Sequence, residues 1–275
     1  MTSPDLHDLR ADLDLAIRAS LAAGREVMRH FRGGGEVRYK SADQPVTEAD
    51  LAADRLLRDA LLGERPGYGW LSEETADSPE RLARERVWVV DPIDGTRSFV
   101  DGVAEFAVSV GLAVAGRAVV GVVYNPATDE LYHASAGGGA FRNGEPVRVS
   151  VSPAALPVAL ASRSEIRRGH FDALRGEWEL RPYGSTTCKM VKVGDGSAHL
   201  FLSRGPKSEW DVCAADLVVR EAGGGVTDAE GRELRYNRPE PFVHGVLATG
   251  GVDHAAVLAR VAALPPVHRP GDTGE

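Results

Sequence analysis

One ten-residue stretch limits this chain more than any other: Val87-Trp88-Val89-Val90-Asp91-Pro92-Ile93-Asp94-Gly95-Thr96. The apolar run from Val87 to Val90 reads as a buried strand that feeds directly into two carboxylates, a proline and a glycine-threonine turn. A fold that buries this strand must place a carboxylate pair where it stops. Pro92 biases Asp91 toward extended backbone, so Asp91 sits on the strand end while the chain turns and returns Asp94 to its side. Two such acids repel, and one keeps its proton unless a cation lies between them. Hard oxygen donors favour Mg2+, which commonly shares a few carboxylates with water and phosphate. Gly95 allows close backbone approach, and a helix opening at Thr96 would aim its free N–H groups at an anion. A plain turn is the competing reading, because every one of these residues is a turn former.

At 275 residues the chain can hold one large domain or two closely joined ones. A hydrophobic content of 43% with 26% charged residues fits an ordinary globular protein. Asp5, Asp8, Arg10, Asp12, Asp14 and Arg18 exclude a secretory apolar segment among the first twenty residues, and no later apolar run has the length to span a bilayer. Cys188 and Cys213 offer neither metal-ligand spacing nor a disulfide framework, so a cytoplasmic setting and no membrane are expected. The net charge of −8 argues against a nucleic-acid polymer as partner. It does not argue against a small anion, since a bound metal reverses the local sign.

Leu6, Leu9, Leu13, Ile17, Leu21, Met28 and Phe31 recur at helical spacing and predict a helix over about 5–31, ended by Gly33-Gly34-Gly35. A strand-like piece at 36–40 follows, and Val46-Thr47-Glu48-Ala49-Asp50 opens a second helix reaching about 62. Thr47 and Asp50 have capping-box spacing, so Asp50 is read equally as a cap or as a catalytic residue. A short strand at 68–71 delivers Ser72-Glu73-Glu74-Thr75 beside the Asp91 strand, and 76–86 reads as exposed loop or short helix. Strands at 106–114, 118–124 and 130–134 form a meander. A Ser/Pro/Ala-rich join at 150–157 divides an N-terminal subdomain, 1–150, from a C-terminal one, 151–264, with 265–275 expected as a disordered tail. Beyond the join come a strand at 158–162, a helix at 165–175, and a strand at 180–183 leading to Gly184-Ser185-Thr186-Thr187. That turn opens a helix over 187–193, followed by a strand at 199–203. A helix at 211–222 then stops at Gly223-Gly224-Gly225, and a strand at 243–248 and a helix at 252–264 complete the chain. Ser208 precedes Asp211 by three, so capping is the bland reading of Asp211.

Taken together, Asp91-Pro92-Ile93-Asp94-Gly95-Thr96 with Phe99, the upstream Glu73-Glu74, Val46-Thr47-x-x-Asp50 and Trp210-Asp211 resemble the inositol monophosphatase family. That family includes 3'(2'),5'-bisphosphate nucleotidases and histidinol phosphatases. The resemblance implies a layered, alternating α/β/α/β/α sandwich, often dimeric, with a lithium-sensitive site for two or three Mg2+ ions and a small phosphorylated metabolite as substrate. It further implies that Glu73 is a ligand of the first metal, that Asp91 bridges two metals, that Ile93 gives its main-chain carbonyl, and that Asp94 and Asp211 hold the second metal. Thr96, hydrogen-bonded to Asp50, would orient and help deprotonate the attacking water. Asp50, Thr96 and Glu73 are thus the candidate catalytic residues, and the amides of Gly95 and Thr96 would hold phosphate.

In inositol-cleaving relatives an acidic residue commonly lies seven positions before the aspartate of the Trp-Asp pair. Arg204 stands there in this chain. With Lys207 it makes a basic pair suited to a second phosphate, and the segment Gly205-Pro206-Lys207-Ser208-Glu209-Trp210-Asp211 resembles the bisphosphate-nucleotidase form. The expected substrate is therefore 3'-phosphoadenosine 5'-phosphate, with inositol 1-phosphate, or a histidinol or sugar phosphate, as the alternative. Simple exposure is the competing reading of both side chains. Ser185, after Gly184, and Lys189 resemble a substrate-side loop of the same relatives. Haloacid-dehalogenase phosphatases also end a strand in Asp-Gly-Thr, but one residue separates their two acids, whereas two lie between Asp91 and Asp94. A non-enzymatic protein holding Mg2+ and a phosphometabolite is the remaining alternative.

Overall fold

The structure, a computed structural model, describes residues 6–31, 37–41, 44–151 and 156–264. The triple glycine at 33–35, part of the join near 152–155 and the tail from 265 lie outside the described residues. In chain order the elements are α1 (Leu6–His30), β1 (Val37–Ser41), β2 (Gln44–Thr47), α2 (Glu48–Glu64), β3 (Gly69–Ser72), β4 (Arg86–Asp94), α3 (Thr96–Val100), β5 (Ala107–Val114), β6 (Arg117–Asn125), β7 (Glu130–Ser135), β8 (Gly139–Arg142) and β9 (Glu145–Val147). There follow β10 (Val158–Ala161), α4 (Arg163–Arg167), β11 (Glu179–Pro182), α5 (Thr186–Gly194), β12 (Leu200–Ser208), α6 (Cys213–Glu221), β13 (Gly225–Thr227), β14 (Phe242–Thr249) and α7 (His254–Ala262).

Strands β3 to β9 pair in sequence order into a seven-stranded sheet, and a second sheet of five has the order β11-β10-β12-β14-β13. The alternation of side chains along β4 shows how the layers stack. Trp88 and Val90 join one core with Leu15, Ala19 and Ala23 of α1 and Ala53 and Leu57 of α2. Val87 and Val89, on the opposite face, join another with Met190 and Val191 of α5 and Leu217 and Val218 of α6. The inner face of the five-stranded sheet contributes Phe201, Val246 and Ala248 to that second core. Its outer face packs Leu200, Leu202 and Leu247 against Val257 and Val261 of α7. The result is a mixed α/β sandwich of alternating layers, as expected. Among the described residues no helix is long and apolar enough to cross a membrane.

Two glycines set how closely the middle helices approach the large sheet. Gly111 on β5 and Gly121 on β6 face each other in register. A Cβ on Gly111 would meet Cys213 Sγ at 2.7 Å, and one on Gly121 would meet the Ala214 carbonyl oxygen at 2.3 Å. The start of α6 therefore rests directly on backbone, and the single 3-10 turn before it, Glu209–Asp211, is carried toward the end of β4. Gly121→Ala is expected to destabilise the protein by about 2 kcal/mol through overpacking, read as a fall of several degrees in Tm by calorimetry.

Several elements differ from the sequence expectation. The predicted helix at 165–175 is a short α4 and a separate 3-10 turn, Asp172–Leu174, parted by Gly169 at φ +72. A strand, β13, follows the glycine stop after α6, where only Gly223 is left-handed, at φ +89. Most consequential for the site, β12 does not end at Ser203 but continues to Ser208.

Candidate active site

Strand β4 itself runs on through Asp91 to Asp94 rather than breaking into a turn. Residues three apart on a strand face opposite sides, so a regular β4 would separate the two acids. The pairing with β5 is irregular here: Asp91 faces Ser109 and Asp94 faces Ala107, three residues against two. This one-residue bulge changes the alternation, and both aspartates line the same cleft of about 290 Å3. The Ile93 N–H donates to Asp91 Oδ1 at 3.0 Å and fixes the bulged segment.

Glu73 and Asp211 complete the acidic cluster from two other directions. The Glu73 N–H donates to the Val90 carbonyl at 3.3 Å, which ties the segment after β3 to β4. Asp211 is held by its own turn, where Oδ2 accepts the Ser208 N–H at 3.2 Å; that is the capping role expected of it, made with one oxygen. Carboxylate oxygens of Glu73, Asp91 and Asp211 lie within 4.8 Å of one another. Burial, and then the charges of Glu73, Asp94, Asp211 and Asp50, push the Asp91 carboxyl well above its usual range. Burial likewise raises Asp211, to about 7, with Asp94 and Glu73 adding to it while Lys207 acts against them. A set of hard oxygen donors that repel each other this strongly fits a divalent cation of the Mg2+ type.

Asp94 is anchored from the other half of the molecule. Its Oδ2 accepts the Ser185 hydroxyl at 2.5 Å and both the N–H and the hydroxyl of Thr187 at 2.6 Å. Three donors occupy that oxygen, so Oδ1 is the one that remains for a cation. Ser185 also accepts the Cys188 N–H at 3.0 Å, closing the start of α5. The Ser185 hydroxyl is thus engaged with Asp94 and the helix, although the residue also borders the adjoining cavity. The sequence marks Thr187 only as a helix start after the Gly184-Ser185 turn, and nothing local in it signals the contact with Asp94.

Asp50 makes both kinds of contact foreseen for it. Oδ2 accepts the Thr47 N–H at 2.7 Å and the Thr47 hydroxyl at 2.6 Å, in the manner of a cap. Oδ1 accepts the Thr96 hydroxyl at 3.2 Å, while the Ile93 carbonyl lies 3.0 Å from that same hydroxyl. Gly95, at φ +98, begins α3, and a Cβ there would meet the Glu105 carbonyl at 2.8 Å, so only glycine fits.

A second cavity of about 320 Å3 adjoins the acidic cleft and shares Asp94, Gly95, Arg97, Thr186 and Lys207 with it. Five cations line this cavity, Arg97, Arg163, Arg167, Lys189 and Lys207, against the carboxylates of Asp94 and Asp101. Arg163 is bound through both its terminal nitrogens to Glu105, at 2.6 and 2.9 Å. Lys189 is 4% exposed. Its ammonium meets the carbonyls of Tyr183 and Gly184, and burial, helped by Lys207, pushes its pKa down to about 8. Arg204 is not brought here. It continues the alternation of Leu200 and Leu202 toward α7, and its Nη2 donates to the Leu264 carbonyl at 3.4 Å. The register then shifts between Ser203 and Pro206, opposite Gly245 at φ +74, and Lys207 emerges paired with the inward Val243. The expectation of a basic pair formed by Arg204 and Lys207 is therefore not met, because the strand sends the two side chains to different places.

The layers thus carry a clustered acid site of the kind that can hold a divalent cation. A profile of the inositol monophosphatase family matches residues 8–264, and the chain belongs to that family. It is 34% identical over 267 residues to the inositol-1-monophosphatase of Rhizobium meliloti, covering 92% of this chain and 96% of the relative. It is 35% identical over 229 residues to the 3'(2'),5'-bisphosphate nucleotidase CysQ of Salmonella typhimurium, covering 81% and 92%. Among solved structures, an IMPase from Thermotoga maritima superposes with a TM-score of 0.79 at 30% identity, covering 91% of this chain and 96% of the other.

Proposed function

We propose that the chain is a Mg2+-dependent hydrolase that removes one phosphate from a small bisphosphorylated metabolite, with 3'-phosphoadenosine 5'-phosphate as the substrate it fits best. The observation that carries this reading is the cation-lined cavity beside the acidic cleft. Glu73, Asp91, Asp94 through Oδ1, the Ile93 carbonyl and Asp211 would hold the metal ions. Bound there, Mg2+ supplies charge neutralisation at the phosphate and lowers the pKa of an attacking water.

The chain's own groups do the rest. Gly95, Thr96 and Arg97 line the cleft, and their amides at the start of α3 would take the phosphate oxygens. Asp50 accepts the Thr96 proton, which leaves a lone pair of Thr96 Oγ1 to accept from the attacking water and orient it toward phosphorus. As the water oxygen bonds to phosphorus and the P–O ester bond breaks, one proton of the water passes by way of Thr96 to Asp50, and the departing alkoxide takes up a proton from solvent to leave as the alcohol. Cys188, with its thiol pushed up to about 12 by burial, is no nucleophile. The second phosphate sits across the adjoining cavity on Lys207, Lys189 and Arg167, where the charge-assisted contacts also fix the reacting end. Lithium sensitivity, dimeric assembly and a cytoplasmic setting belong to the same reading.

Inositol 1-phosphate is the second reading, favoured by the likeness to the Rhizobium meliloti protein over almost the whole chain. Arg167 separates the two, because it lines only the cation-rich cavity. Arg167→Ala is expected to lower kcat/KM for 3'-phosphoadenosine 5'-phosphate by about tenfold, the worth of one hydrogen bond to a charged group, while sparing inositol 1-phosphate. Arg204→Ala, outside both cavities, serves as the control. Phosphate release measured on both substrates decides. Equal losses from Arg167→Ala, or a wild-type preference for inositol 1-phosphate, would reject the bisphosphate reading.

A further inference from the structure

Asp54 lies one helical turn beyond Asp50 on α2 and is 6% exposed. Its Oδ1 accepts the Ser72 hydroxyl at 2.5 Å, and its Oδ2 accepts the Thr75 hydroxyl at 2.6 Å. Among the described residues its hydrogen-bond partners are these two hydroxyls rather than a lysine or an arginine. A buried carboxylate without a cation is costly, and an apolar residue would serve packing better. The sequence placement of the two hydroxyls is what gives the arrangement meaning. They bracket Glu73-Glu74, so one carboxylate grips the turn on both sides of the cluster residue Glu73. Ser72 Oγ also accepts the Glu74 N–H at 3.4 Å, and the Glu73 N–H is held by Val90. The backbone of Glu73 is thus tied from α2 and from β4, while its own carboxylate faces Asp91 and Asp211.

We propose that Asp54 is a positioning residue for the metal-ligand set, which fixes the Ser72–Thr75 turn so that the Glu73 carboxylate is presented at the right depth in the cleft. Residues four apart share a helix face. The α2 helix therefore serves the site twice, through Asp50 to Thr96 and through Asp54 to the Glu73 turn. This inference rests on the Mg2+ reading of the cleft, and groups that orient metal ligands from behind typically contribute 10–100-fold to metal affinity.

The test is Mg2+ binding followed by isothermal titration calorimetry on the wild type, Asp54→Ala, Thr75→Val and Thr227→Val. Thr75→Val keeps the shape of the side chain and removes one of the two hydroxyls. Thr227→Val removes a hydroxyl on β13, far along the other sheet, where it meets His254. Asp54→Ala and Thr75→Val are each expected to bind Mg2+ about tenfold more weakly, with kcat restored once Mg2+ saturates, and Thr227→Val is expected to bind as the wild type does. If Asp54→Ala does not fold, Thr75→Val decides alone. Unchanged Mg2+ affinity in folded Asp54→Ala or in Thr75→Val overturns the positioning role, as does a kcat deficit that saturating Mg2+ leaves in place. A wild type that binds no Mg2+ overturns the metal reading beneath it instead.

Discussion

Asp91→Asn is expected to lower turnover by at least about 100-fold, the scale on which removal of one preorganised electrostatic contact is felt, without destabilising the metal-free protein. The two halves of this expectation have one cause. Asp91 is 1% exposed, and burial together with Glu73, Asp94, Asp211 and Asp50 holds its carboxyl well above the ordinary range. A group raised in this way is harder to ionise in the folded chain than in the unfolded one, so its ionisation costs stability as the pH rises past the unfolded value. An asparagine of nearly the same shape removes that cost and also removes the charge that a cation needs. Two measurements therefore move in opposite senses. Phosphate release should collapse, while Tm in chelator should stay level or rise. The gain in Tm on adding Mg2+, expected in the wild type by linkage, should shrink or vanish. Normal turnover in Asp91→Asn would remove the acidic cleft from the chemistry, whereas an ordinary core defect would lower Tm in chelator as well.

The parts of this site that the sequence discloses are those whose signals are local. An apolar run entering two acids marks β4 and its end, and Thr47 with Asp50 marks the start of α2, because strand burial and helix capping are written within a few residues. The bulge that brings Asp94 beside Asp91 is not local in this sense. It depends on the pairing with Ser109 and Ala107 across the sheet, and a turn is the natural guess from Pro92 and Gly95. Thr187 likewise reaches Asp94 from 93 positions away, and a hydroxyl beside a glycine-serine turn looks like any helix start. Gly111 and Gly121 read as ordinary strand residues until α6 is seen resting on them.

Arg204 and Lys207 show the same limit from the side of specificity. With the strand expected to end at Ser203, both could face a substrate, but strand parity and one register shift send Arg204 to Leu264 and Lys207 to the cavity. The cations that accompany Lys207 come from elsewhere. Arg163 and Arg167 sit on α4, whose short length follows from the left-handed Gly169. Composition alone, with acids in excess, hides a basic cavity because it reports the sum of the charges and not where the fold gathers them.

Asp50→Asn is expected to lower turnover by about 100-fold or more, within the range that a positioned proton acceptor contributes, while leaving stability and Mg2+ affinity nearly unchanged. Asparagine caps a helix about as well as aspartate, so a purely capping Asp50 would tolerate the change. The two oxygens of Asp50 do different things. Oδ2 accepts from the Thr47 N–H and hydroxyl, and Oδ1 accepts from the Thr96 hydroxyl. A backbone N–H can only donate, so the single amide oxygen of an asparagine would be drawn to Thr47. The amide NH2 would then face Thr96. That hydroxyl would have to accept from the amide and turn its own proton to the Ile93 carbonyl, 3.0 Å away, which is itself a candidate metal donor. The lone pair that should receive the attacking water would be taken, and no carboxylate would remain to receive the proton. Single-turnover phosphate release at saturating Mg2+ isolates this step. Wild-type rates there would leave Asp50 as a helix cap alone, and a lower rate with unchanged Tm and Mg2+ affinity is the signature of the Thr96–Asp50 pair acting on water.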